Sequence, residues 1–215
     1  MSAYCCAHDG SGSLDRLQEA AYRRVLWVAL FLNAGMFLVE LVAGLAAGSV
    51  SLQADAVDFF SDAGSYGISL LVVGMALRYR AAAAMAKGAV MGLFGLWVIG
   101  ATVWHALAGT LPDPVTMGAV GAAALATNAA VFAMLWRYRS GDSNMRSVWI
   151  CSRNDVVGNG AVLIAALGVF GTGTGWPDVA VAGVMGLMAI HGAWSFLPDA
   201  VHEWRDVSPS SAVSR

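Results

Sequence analysis

The sequence predicts an all-α integral membrane protein, a six-transmembrane-helix bundle, and three observations carry that expectation. Hydrophobic residues make up 58% of the 215 positions and charged ones 12%, about half the charged share of a soluble domain. Six apolar stretches of roughly 20 residues, each long enough to cross about 30 Å of hydrocarbon as a helix, leave no room for a soluble domain of even about 50 residues. Basic residues gather in alternate connections. The expected organisation is a cytoplasmic N-terminal tail at 1–22, a transmembrane domain at 23–200 and a short cytoplasmic C-terminal tail at 201–215.

The first helix is expected near 24–47, after Arg23 and Arg24, and Gly48-Ser49 ends it. The second follows near 50–77 and carries Asp55, Asp58 and Asp62. The third runs near 87–108, and Pro112 and Pro114 bracket the connection to the fourth, near 114–138. The fifth, near 145–170, stops at GTGTGWP, and the sixth occupies about 177–198. With connections this short, sequential helices are expected to be neighbours. The GTGTG loop follows no strand and contains no Lys, so it is a poor phosphate cradle.

Arg16, Arg23 and Arg24, then Arg78, Arg80 and Lys87, then Arg137, Arg139 and Arg146, then Arg205 and Arg215 fall on one side of such a bundle, and the opposite loops have none. The positive-inside rule makes that side, with both termini, cytoplasmic. The polar N-terminus lacks the order of a cleavable signal peptide, so an inner-membrane, multi-pass location is expected. A net charge of −2 indicates neither nucleic-acid binding nor a polybasic lipid tether. Most tryptophans, Trp97, Trp104, Trp136, Trp149 and Trp176 among them, lie near span ends as interfacial anchors.

Glu40, Asp55, Asp58, Asp62, Arg153 and Asp155 sit within the spans, where each charge at a helix centre costs about 2.5–3.5 kcal/mol on insertion scales. Asp58 and Asp62 are four apart, so both carboxylates share one helical face and repel unless a cation or protons intervene. Cys151 and Asp155 repeat the spacing in helix five. If the two helices pack together they present four donors, three carboxylates and one thiolate, the number a tetrahedral divalent metal takes. That mixture suits zinc, cadmium or cobalt and is poor for magnesium. The competing role for such groups is interhelical hydrogen bonding, which two facing pairs make the weaker account.

The run from Asn33 through VELVAGLAAGSVSLQADAVDFFSDAG, with CSRNDVVGN and the WPD opening helix six, resembles the cation diffusion facilitator family of divalent-metal transporters across residues 25–200. The resemblance implies export of zinc-like cations in exchange for protons. It also implies a site of two X-x-x-Asp pairs, here Asp58 with Asp62 and Cys151 with Asp155. Two features depart from the family pattern: Cys151 stands where His or Asp is usual, and a cytosolic metal-binding domain after helix six is not expected, making this a short form.

Asp55 and Glu40 read as structural or outer-sphere groups, with Arg153 a candidate partner. Asn33 and Asn159 read as helix glue or donors to a ligand carboxylate, and His105 and His191 as packing residues. Cys5, Cys6 and His8 offer a soft-metal capture segment or an incidental tail. No enzymatic activity and no cofactor are expected; the metal enters as transported substrate. The partners are then divalent metal ions, protons and the lipid bilayer, with a homodimer through the membrane domain an assembly this architecture permits. The alternatives are a membrane metal-binding or sensory protein without transport, and a proton-coupled exporter of small molecules.

Overall fold

The computed structural model describes residues 16–71, 77–138 and 143–206; within them the side chains of several residues, Cys151, Arg153, Asn154 and Lys87 included, lie outside the description. Six long helices account for the described residues, with no strand among them. They are α1 (Arg16–Ala47), α2 (Val50–Leu71), α3 (Leu77–Ala108), α4 (Pro114–Leu135), α5 (Ser143–Thr172) and α6 (Trp176–Asp206), and a 3-10 turn at Trp136–Tyr138 extends α4.

Three helices are longer than expected. α1 starts at Arg16 rather than near 24, α3 at Leu77 rather than 87, and α6 runs to Asp206 rather than 198. Hydropathy marks where a helix is apolar, not where it stops. LQEAAYRR and RYRAAAAMA hold no Pro or Gly and are rich in alanine and other strong helix formers, so the hydrogen-bond ladder continues past the hydrocarbon. The predicted capture segment with Cys5, Cys6 and His8 and the C-terminal residues 207–215 lie outside the described residues.

Four described spans are long and apolar enough to cross a membrane: Ala20–Ala47, Gly88–Ala108, Pro114–Tyr138 and Asp155–Thr172. Their outer faces carry exposed large side chains, including Phe31, Val42, Leu93, Leu107, Leu167 and Phe170. Apolar exposure on this scale belongs to a bilayer-embedded protein. Trp104 and Trp176 are exposed as the anchor role requires, while Trp97 also donates its indole N–H to Gln53 Oε1 at 3.2 Å.

The helices pair as α1 with α2, α4 with α5 and α3 with α6. Sequential helices are neighbours, as expected, at α1–α2, α2–α3, α4–α5 and α5–α6; the exception is α3 with α4, since α3 lies chiefly on α6, and α4 on α5 and α1. Small residues explain the choice. A Cβ at Gly95 would press on Ile190, and one at Gly186 on Ile99, each at 2.9 Å, so only glycine lets these two backbones approach so closely. α2 is the hub, packing against α1, α3, α5 and α6.

The helix ends at the α1–α2 turn are tied together by polar contacts. Gly48 takes φ +65°, the left-handed conformation glycine adopts without strain, to reverse the chain. Asp113 N–H donates to the Ala47 carbonyl at 3.0 Å, joining the α3–α4 turn to the α1–α2 turn. The Asp113 carboxylate caps α4, accepting from the Thr116 hydroxyl and from the backbone N–H groups of Thr116 and Val115. Those donors, the Thr116 hydroxyl foremost, hold its pKa below the ordinary carboxylate value. Gly175 sits where a Cβ would collide with the Thr110 carbonyl oxygen. Gly175→Ala is therefore expected to cost about 1–3 kcal/mol through overpacking, read as a lowered thermal unfolding midpoint in detergent; an unchanged midpoint would show that the two turns slide apart freely.

A trans-cap completes this end. Asp178, buried in the first turn of α6, accepts from Ser49 Oγ at 2.7 Å, Val50 N–H at 2.9 Å and Ser51 N–H at 3.0 Å. The orphan amides that begin α2 are thus satisfied by a carboxylate from the other end of the chain, and the negative charge faces the positive end of the α2 dipole.

Candidate metal site

Apolar clusters lie on both sides of a polar layer in mid-bundle. One comprises Tyr22, Leu26, Tyr66, Leu70, Val131 and Leu135; the other, toward the α1–α2 turn, contains Leu52, Met117, Val162 and Val169. Between them Asn33, Glu40, Asp55, Asp62, Asn128, Asp155 and Asn159 are buried, and Asp58 is half-buried. Polar groups buried in such a layer must satisfy one another or hold an ion.

Of the four predicted donors, Asp58 and Asp62 of α2 and Asp155 of α5 lie near one another. Asp155 faces Asp62 and Asp58, and the carboxyl of Asp62 is within hydrogen-bonding reach of it. One Asp155 oxygen has no hydrogen-bond partner. Among the described residues no three His, Cys, Asp or Glu side chains stand in an arrangement that closes on a metal ion. Cys151 lies on α5 one turn before Asp155, but its side chain is outside the described residues, as is that of Arg153. Three carboxylates therefore neighbour one another without closing into a coordination shell.

The register that sets them there comes from a hydrogen-bonded chain one turn closer to the α1–α2 end. Asn128 of α4 donates to Asn159 Oδ1 at 2.9 Å, and Asn159 donates to both oxygens of Asp55 at 2.7 Å. α2 and α5 run in opposite directions, so pinning Asn159 to Asp55 places Asp155, one turn back along α5, beside Asp58 and Asp62, one and two turns on along α2. Asn159 is thus a donor to a carboxylate, though to Asp55 rather than to a predicted ligand. Asn128 was not anticipated. Its signal was available as the lone amide in the apolar run AALATNAAVFAML.

The other polar residues take structural places. Asn33 donates to its own helix at the Ala29 carbonyl, 2.8 Å away. His105 Nδ1 and Thr110 Oγ1 are 2.7 Å apart at the end of α3, and His191 is exposed. Glu40, wholly buried, meets the carboxyl of Asp55 across the α1–α2 interface.

Comparison with known proteins decides the family. The family model for the cation efflux transmembrane domain matches residues 26–203. The chain belongs to the cation efflux family. Its resemblance to the cation diffusion facilitators therefore holds along the whole bundle. This member of the family is 28% identical to the zinc transporter ZitB of Escherichia coli over 222 residues, covering 95% of this chain and 70% of that protein. It is 21% identical to the cadmium, cobalt and zinc/H(+)-K(+) antiporter of Bacillus subtilis, covering 90% and 67%. It is also 24% identical to the metal cation efflux system protein CzcD of Cupriavidus metallidurans, covering 83% and 60%. A cation efflux protein with these apolar helices is a multi-pass membrane protein, as its composition required.

Proposed function

We propose that this cation efflux protein exports divalent ions of the zinc, cadmium and cobalt class from the cytoplasm in exchange for protons, by alternating access at Asp58, Asp62, Cys151 and Asp155. The observation that carries the proposal is the meeting of the α2 and α5 aspartates in a buried layer between two apolar clusters. Like-charged groups gathered in a poorly solvated layer demand counter-charge, and either protons or a divalent cation supplies it. Metal and protons then compete for the same oxygens, and that competition becomes antiport when the layer opens to each side in turn. The similarity to the zinc transporter ZitB, to the Bacillus cadmium, cobalt and zinc antiporter and to the metal cation efflux protein CzcD supports a divalent-metal cargo.

Energetics point the same way. Moving a divalent ion outward against an interior-negative potential costs about 4.6 kcal/mol per 100 mV, which inward protons offset. The proposal places the protein in the inner membrane with both termini cytoplasmic, on the positive-inside argument; exposed Arg23, Arg24 and Arg137 share that end of the bundle. α2 and α5 are the moving pair.

The test is flux in proteoliposomes across a panel of metals with an imposed pH gradient. Zinc and cadmium flux should rise with the gradient and collapse when it is dissipated; metal binding with flux indifferent to pH between about 5.5 and 8 would indicate a binder or uniporter instead. Cys151 supplies a second readout. A thiolate is softer than imidazole, so Cys151→His should keep zinc flux and lower the cadmium-to-zinc ratio. Cys151→Ser should lower both about tenfold or more, because a neutral hydroxyl is a poor ligand. Undiminished rates in the Ser variant would remove Cys151 from the site.

A further inference from the structure

We infer that Glu40 of α1 and Asp55 of α2 form a dedicated proton-binding site, a carboxyl–carboxylate pair sharing one hydrogen, separate from the metal-binding carboxylates and nearer the α1–α2 turn. Glu40 is fully buried and neither of its oxygens has a hydrogen-bond donor. Its carboxyl nevertheless lies within hydrogen-bonding reach of the Asp55 carboxyl. Two acceptor-only groups so placed, with no donor between them, require a hydrogen that neither ionised group brings.

The surroundings assign that hydrogen. Both Asp55 oxygens already accept from Asn159, whose own oxygen is committed to Asn128, so the network is polarised to serve an ionised Asp55. Glu40 receives no such donor and is the group that carries the hydrogen, donating it to Asp55. The titratable neighbours are Asp58 and Asp62 on α2 and Asp155 on α5, with Cys151 and Arg153 of α5 outside the described side chains. α4, which packs on α1, has no titratable residue between Pro114 and Leu135. On α3 and α6, which pack on α2, His105 is engaged with Thr110, Asp178 caps the α2 N-terminus and His191 faces outward.

The position gives the pair a task. Asp55 lies three residues, about 4.5 Å of helix rise, closer to the α1–α2 turn than Asp58. A divalent cation among the neighbouring carboxylates favours the ionised form of the pair, and its hydrogen leaves as a solvated proton; when the cation departs, the pair takes a proton back. Occupancy of one site is thereby written into the charge of the other. This task deepens the antiport reading and rests on it, whereas the shared hydrogen does not.

Two measurements on the purified full-length protein separate these claims. Infrared difference spectroscopy of the metal-free protein should show a protonated-carboxyl C=O band that Glu40→Gln removes; Gln keeps a donor toward Asp55 and so preserves the packing. A band unchanged by Glu40→Gln overturns the site, whatever becomes of antiport. Proton release on adding zinc in weak buffer should fall by about one proton per ion in Glu40→Gln while zinc still binds. Equal release from both proteins overturns the coupling. Should Glu40→Gln fold poorly, Asn159→Asp provides the second variant: a new carboxylate facing Asp55 in place of its amide donor should shift the same band, and no shift counts against the pair. Wild-type flux that ignores the pH gradient would defeat the antiport reading while leaving the infrared result standing.

Discussion

Replacing either Asp62 or Asp155 with alanine is expected to abolish metal transport, at least about 100-fold in initial rate, while the protein still inserts and folds. The magnitude follows from the count of donors. Losing even an outer-sphere partner of a metal ligand costs about 10–100-fold, and at the proposed site a ligand itself would go, together with one of the negative charges that offset cation desolvation. Insertion should be unharmed or improved, since each buried carboxylate is a burden of about 2.5–3.5 kcal/mol on insertion scales. The two variants should behave alike because the carboxyls face each other from α2 and α5. Vesicle flux with zinc, set beside unfolding in detergent, checks both halves. Near wild-type flux in the two variants would move the transport site elsewhere.

Asp178→Ala is expected to destabilise the bundle by about 3 kcal/mol or more and to lower flux through α2. Three donors, Ser49 Oγ and the amides of Val50 and Ser51, lose their acceptor in a buried position. Each hydrogen bond to a charged group contributes about 1.5–3 kcal/mol, and an unsatisfied buried donor carries its own penalty. Asp178→Asn should recover part of the loss, because one amide oxygen accepts while the charge opposite the helix dipole is gone. Unfolding midpoints of the three proteins give the order wild type, Asn, Ala. An Ala variant as stable as wild type would show that water reaches the start of α2 and replaces the carboxylate.

The membrane-embedded helical class, the turns at Gly48-Ser49 and GTGTGWP, and the candidate donors were all legible in one dimension, because each rests on local chemistry. A bilayer demands long apolar helices, and a four-residue spacing puts Asp58 with Asp62 on one face without reference to any other helix. Helix lengths were less legible, since RYRAAAAMA is too polar for the hydrocarbon yet strongly helical, and only the backbone ladder shows that it continues α3.

What joins one helix to another was decided in three dimensions. The pairing of α3 with α6 depends on Gly95 meeting Ile190 and Gly186 meeting Ile99, contacts between residues far apart in the chain. The cap that Asp178 gives α2 spans 128 residues to Val50. The chain from Asn128 through Asn159 to Asp55 draws on three helices, and the buried Glu40 acquires meaning only beside Asp55. Composition and periodicity report the solvent each residue faces and the face it shares; a buried polar group's partner is set by packing, and packing brings together residues that the sequence keeps far apart.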